Sequence, residues 1–284
     1  AASDSDRERR VSLLRKIASV AASQQNALPR AIDAQARALK EDPALPDTRL
    51  ELEQLAEQSG AWADVIRIYQ EIGSGLDDPA LARDYWMRLA SIQEQLQLVT
   101  DAAQSYNKVL ALDPSAAEAL AAKDALNRGT GHWEDLVGVF RRRIDLAADG
   151  AERESLYAQM AAVYEEKLGR PAEAIAAYRE VLALDPASHV ALAALDGLFT
   201  RQSMWAELAE NLDTQLNLSA DEATQQSLML RLAALRESRM SDVESAIEGY
   251  RQVLEREPNN ESAMTALGIG VNTWGGLGHE SQVR

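Results

Sequence analysis

The chain repeats itself about every 72 residues, and that period restricts its fold more than any other feature. An acidic residue followed by proline recurs at Asp42-Pro43, Asp113-Pro114, Asp185-Pro186 and Glu257-Pro258, with steps of 71, 72 and 72 residues between prolines. Tyr106, Tyr178 and Tyr250 keep a step of 72, and Trp62, Trp133 and Trp205 keep steps of 71 and 72. Three separate markers with one period mean that one structural unit is built repeatedly. That points to a stacked array rather than a single globular core.

The unit is helical. In the stretch 173–186, Ala174, Ile175, Tyr178, Val181 and Leu182 fall at i, i+1, i+4, i+7 and i+8, one face of an α-helix, with Arg179 and Glu180 opposite. The following Asp-Pro ends the helix, because proline lacks an amide hydrogen and biases its predecessor away from helical geometry. The stretches 102–114 and 245–258 repeat this pattern. Each period has room for four helices, that is, two helix pairs. In the third copy the spacing predicts helices over 151–168, 171–184, 188–202 and 204–218. Leu156, Met160, Ala161 and Tyr164 form the buried stripe of the first, and Gly169 closes it. Leu192, Leu195, Leu198 and Phe199 face Trp205, Leu208 and Leu212 across the second pair. No stretch alternates apolar and polar residues as a strand requires.

Met160-Ala161, Tyr164, Gly169, Ala174, Tyr178 and Pro186 occupy the positions that mark a tetratricopeptide repeat, and the sequence resembles that family over about residues 10–267. The likeness is strongest in 78–114, 150–186 and 221–258. The intervening pairs place Val65, Leu136 or Leu208 where the family prefers alanine, and lack its terminal proline. The resemblance implies an all-α fold: a right-handed superhelical solenoid of about 14 or 15 helices in stacked antiparallel pairs. The units are expected at about 5–43, 44–77, 78–114, 115–149, 150–186, 187–220 and 221–258, with a partial unit at 259–267 and an irregular glycine-rich tail over 268–284.

The two ends differ. At the N-terminus, Gln35 stands where the later copies have tyrosine, a polar change suited to a terminal repeat with one unstacked face. At the other end Met264 and Leu267 keep register with Leu192 and Leu195, but Gly270 falls at the position of Leu198 and the helical pattern is lost. The start at Ala1-Ala2-Ser3 is read as a cut boundary rather than the end left by signal cleavage, and the chain as a piece of a longer array.

Charge narrows the partners. A net charge of −16 and a pI near 4.7 oppose phosphate backbones and anionic membranes, so neither nucleic-acid binding nor membrane insertion is expected. The cytoplasm is the favoured compartment, with the periplasm or export left open. There is no cysteine, and His132, His189 and His279 lack the spacing of a metal site. No catalytic set, metal site or cofactor is implied, and the chain is read as a non-enzyme. The one interior basic knot, Arg141, Arg142 and Arg143, is read first as a helix-face ion-pairing cluster.

The family geometry names inner-face positions on the first helix of each pair. In the second copy these are Asp84, Met87, Arg88, Ser91, Glu94 and Gln95; in the third they are Ser155, Ala158, Gln159, Ala162, Glu165 and Glu166. One branch of the family grips C-terminal carboxylates with lysine and asparagine there, and this sequence has neither. Small and acidic residues suggest instead a neutral or basic protein or peptide segment on a concave helical surface. The expected function is therefore a protein-interaction scaffold or adaptor. Its rival is a regulatory or structural segment of a larger enzyme or secretion protein whose chemistry lies elsewhere.

Overall fold

A computed structural model describes residues 4–24 and 27–268. Within them the chain forms fifteen α-helices and no strand. They divide into two compact units, 1–139 and 140–284, with the division falling inside one helix. Residue 268 begins the expected tail, and the rest of it lies outside the described residues.

The first unit runs α1 (Asp4–Ala22), α2 (Leu28–Glu41), α3 (Pro46–Ser59), α4 (Trp62–Gly75), α5 (Pro79–Gln95), α6 (Val99–Leu112), α7 (Ala117–Thr130) and the start of α8 (Trp133–Leu146). The second takes the rest of α8, then α9 (Gly150–Ala162), α10 (Pro171–Leu184), α11 (His189–Gln202), α12 (Trp205–Leu218), α13 (Glu222–Ser238), α14 (Val243–Arg256) and α15 (Glu261–Ala266). Within the units, the successive helices α1 to α7, and again α9 to α15, pack on one another through short connections.

Burial follows the 3.6-residue period. On α10 Ala174, Ile175, Tyr178 and Val181 are buried and Leu182 half-buried, while Arg179 and Glu180 stand in solvent. Leu156, Met160, Ala161 and Tyr164 are buried as the spacing predicts, as are Leu192, Leu195, Leu198, Phe199, Leu208 and Leu212. Trp205 is only half-buried, with the guanidinium of Arg239 lying 5.2 Å from its ring centroid. It roofs the pair rather than filling its centre.

Six first helices, α3, α5, α7, α9 with its π turn, α11 and α13, end in the left-handed region: at Gly60, Gln97, Gly131, Gly169, Ser203 and Ser241, with φ between 56° and 74°. The amide just beyond reaches back across the last turn, as in Ala61 N–H to the Ala56 carbonyl (3.2 Å) and Leu98 N–H to that of Gln93 (2.8 Å). This caps carbonyls that would otherwise lack donors. Three of the six positions carry a side chain where glycine would be unstrained.

The predicted helix 151–168 is not one α-helix. It is α-helical to Ala162 and then widens into a π turn over Val163–Lys167. The fully buried alanines Ala90 and Ala102 of the second copy are 12 apart, whereas Ala161 and Ala174 of the third are 13 apart. That spacing does not by itself produce the π turn, since the buried Ala233 and Ala246 of the fourth copy are also 13 apart and α13 stays α-helical.

Candidate interaction surface

On α5 the core takes Tyr85, Trp86, Leu89, Ile92 and Gln93. The opposite face leaves Asp84, Arg88 and Gln95 exposed and Met87, Ser91 and Glu94 half-buried. On α9 and its π turn, Leu156, Met160, Ala161, Val163 and Tyr164 are buried. Ser155, Gln159 and Glu166 are exposed there, and Ala158, Ala162 and Glu165 half-buried. Each set gathers on one face of its own helix, as 100° per residue requires. The two sets belong to different units.

Several of these side chains already have partners within the chain. The guanidinium of Arg88 on α5 donates to both carboxylate oxygens of Glu53 on α3, from Nε at 2.9 Å and from Nη2. Glu53 also accepts the Tyr69 hydroxyl of α4 at 2.8 Å, so one carboxylate ties three helices. Its hydrogen bond holds the Arg88 guanidinium above the ordinary arginine range, against desolvation. Burial chiefly, with the Glu53 charge next, pushes the Tyr69 phenol well above its usual range. Glu94 accepts the Tyr106 hydroxyl at 2.6 Å, and Glu165 accepts from Arg201 of α11. Asp84 lies 3.4 Å from Arg83, and Glu166 lies 3.8 Å from Lys167.

These contacts follow a rule that single-helix patterns do not reveal. Successive first helices are joined by ion pairs 35 or 36 residues apart: Arg15–Glu51, Arg88–Glu53, Arg201–Glu165 and Arg231–Asp196. Opposite charges recurring at that separation were the sequence signal available for them. The basic knot pairs internally as well, since Arg141 donates to the Tyr164 hydroxyl at 2.7 Å and Arg143 lies 3.8 Å from Glu152.

A cavity of about 560 Å³ opens on the first helices of the N-terminal unit, lined by Ser12, Arg15, Ser19, Glu51, Gln54 and Gln58 above Gln35. Where Tyr106 and Tyr250 reach Glu94 and Glu237 with a phenol, the fully buried Gln35 reaches Glu51 with its amide nitrogen at 2.5 Å. Its Oε1 has no partner. Burial, aided by Glu237, pushes the Tyr250 hydroxyl up to about 12.

His132 is an exposed turn residue 2.6 Å from the Thr130 hydroxyl, and His189 opens α11 in solvent. His279 lies outside the described residues. Among the described residues no group of three or more His, Asp or Glu side chains is placed to hold a metal ion, and no helix is long and apolar enough to cross a membrane.

Models of the tetratricopeptide repeat match residues 72–117, 154–188 and 227–260, the three pairs in which the alanine, tyrosine and proline markers coincide. The chain is a tetratricopeptide repeat protein. Tetratricopeptide repeats serve in general as protein-interaction scaffolds, and the family is typically non-catalytic. Among solved structures, this repeat protein is similar to a chain in the complex of Naa15 and Naa10 bound to HypK-THB. That match has 16% identity and a TM-score of 0.48, and covers 92% of this chain and 39% of that one. YrrB, described as a TPR protein with an unusual peptide-binding site, matches at 15% identity and a TM-score of 0.36, over 65% and 91% of the two chains. PilF of Pseudomonas aeruginosa matches at 15% identity and a TM-score of 0.32, over 93% and 99%. No curated protein matches the chain.

Proposed function

We propose that this repeat protein holds a neutral or basic segment of another protein on the exposed faces of its first helices, and that it does so without catalysis. One observation carries the reading. On the faces of α5 and α9 that bear them, Asp84, Ser155, Gln159 and Glu166 are exposed and Met87, Ser91, Ala158 and Ala162 half-buried, while the opposite faces of the same helices enter the core. The small side chains among them would let a partner backbone approach closely, and the carboxylates would favour a cationic or neutral segment. The reading keeps the helix pairs 78–114 and 150–186 as the units that present these faces.

The internal ion pairs sharpen which residues test it. Glu165 is engaged by Arg201 and Arg88 by Glu53, so changing either also perturbs the contact between neighbouring helices. Glu166 is exposed and only loosely paired. With the whole chain as bait, Glu166→Lys is expected to lower capture of the partner several-fold, and Ala183→Lys, on the exposed side of α10, to leave it unchanged. Equal capture by the Glu166→Lys variant and the parent protein would count against the proposal.

A further inference from the structure

A second cleft lies on the other side of α9. It is a cavity of about 410 Å³ between the end of α8 and α10, lined by Tyr157 and Met160 of α9, Tyr164 of its π turn, Ile144 and Asp145 of α8, and Glu173, Ala176 and Glu180 of α10, among others. Tyr157, Met160 and Tyr164 follow i, i+3, i+7 spacing, on the face of α9 turned away from Ser155, Ala158 and Ala162. The cleft is therefore separate from the surface proposed above, and does not depend on it.

Its chemistry is two-sided. Ile144, Met160 and Tyr164 are buried and make an apolar floor, and half-buried Tyr157 adds an aromatic wall. Three exposed carboxylates stand around it, from Asp145, Glu173 and Glu180, and none has an ion-pair partner among the described residues. The one cation among the lining residues, Arg141, donates to the Tyr164 hydroxyl at 2.7 Å and keeps its charge, so three carboxylates face one guanidinium and the cleft stays net acidic. The second copy has a more polar lining at the corresponding positions. There Gln104 and Ser105 replace Ala176 and Ala177, and the Ser105 hydroxyl donates to buried Gln93 at 2.6 Å.

An apolar trough with an aromatic wall and an acidic rim matches a long side chain that carries its charge at the tip. The methylenes of such a side chain cover the floor while its cation meets the carboxylates and the ring face. We propose that this cleft docks a lysine or arginine side chain from a partner protein, giving the chain a second contact surface beside its first-helix faces.

The probes are acetyl-Ala-Arg-Ala-amide and acetyl-Ala-citrulline-Ala-amide, which share shape but differ in charge. They are titrated into the whole chain while the methyl resonances of Met160 and Ile144 are followed. The arginine peptide is expected to shift both methyls saturably with a dissociation constant below about 10 mM, and the citrulline peptide to bind at least about fivefold more weakly. Because the whole chain is acidic, the decisive comparison is between two variants of equal charge. Glu173→Gln with Glu180→Gln should weaken the arginine peptide about five- to tenfold, whereas Glu210→Gln with Glu255→Gln, two exposed carboxylates outside the cleft, should not. The proposal is overturned by any of three results: no saturable shift, equal binding of citrulline, or equal weakening by both charge-matched pairs.

Discussion

Replacing Arg88 by methionine should destabilise the first unit by about 2 kcal/mol, a size set by what it leaves behind. Only about 10% of the Glu53 side chain is exposed, against 43% of Arg88. Without the guanidinium, the carboxylate loses two charge-assisted bonds and keeps only the Tyr69 hydroxyl. Stranding one member of a fully buried pair costs about 3–5 kcal/mol, and the half-open arginine side lets water return, which lowers the figure to about 2. At about 2–4 °C per kcal/mol the melting point falls by about 4–8 °C. The double variant Glu53→Leu, Arg88→Met should cost clearly less than the sum of its parts, leaving a coupling of about 1–2 kcal/mol. Urea unfolding followed by tryptophan fluorescence gives the four stabilities. A coupling below about 0.3 kcal/mol would show that the pair is an incidental surface contact and that the reasoning is wrong.

Other expectations follow from local geometry. Gln97→Gly, Ser203→Gly and Ser241→Gly each relieve a left-handed side chain and should raise stability by a few tenths to about 1 kcal/mol, since glycine's extra freedom in the unfolded chain offsets part of the gain. Thermal melts check this, and a loss at all three would refute the strain argument. Gly138→Ala adds a Cβ into open space on α8 and should stabilise by about 0.8 kcal/mol, measured by urea midpoint. Gly249→Ala would meet the Cβ of Ala233 at 3.0 Å, and overpacking of about 1–3 kcal/mol should cancel or reverse the same helical gain. Asp113, Asp221 and Asp242 are held below the usual carboxylate range, chiefly by the hydroxyls of Ser115, Thr224 and Ser245, and Glu41 and Glu71 by Arg10 and Lys40. Their folded forms bind protons less readily than the unfolded chain does, so this stability is complete above the ordinary carboxylate range and is lost as pH falls through it. A melting point unchanged from pH 6 to pH 3 would contradict that.

The array was legible because its markers are local and repeat. Each apolar stripe lies within one helix, and several helix stops are written in an acidic residue before proline or in a glycine, so Pro43, Pro114, Pro186 and Pro258 mark the frame. Stops made by Gln97, Ser203 and Ser241 carried no such mark, because packing imposes their left-handed geometry against intrinsic preference. The π turn over Val163–Lys167 was not legible, because the spacing of buried alanines that accompanies it, 13 residues, recurs at Ala233 and Ala246 beside a regular α-helix. The family resemblance named the inner-face positions of α5 and α9, and none of them is fully buried. It did not predict that Arg88 and Glu165 spend their charge on neighbouring helices, because such contacts depend on how pairs stack. The cleft beside Tyr157 escaped for the same reason, since its walls come from three helices.

The holding role is tested most directly by placing a photoreactive benzoylphenylalanine at one position at a time in the whole chain, in the cells that make it. Substitution at Ser91 or Ala158, half-buried on the proposed first-helix faces, should give a discrete adduct with a partner protein on irradiation, and substitution at Ala183 on α10 should give none. Adducts from Ala183 with none from Ser91 or Ala158 would contradict the account.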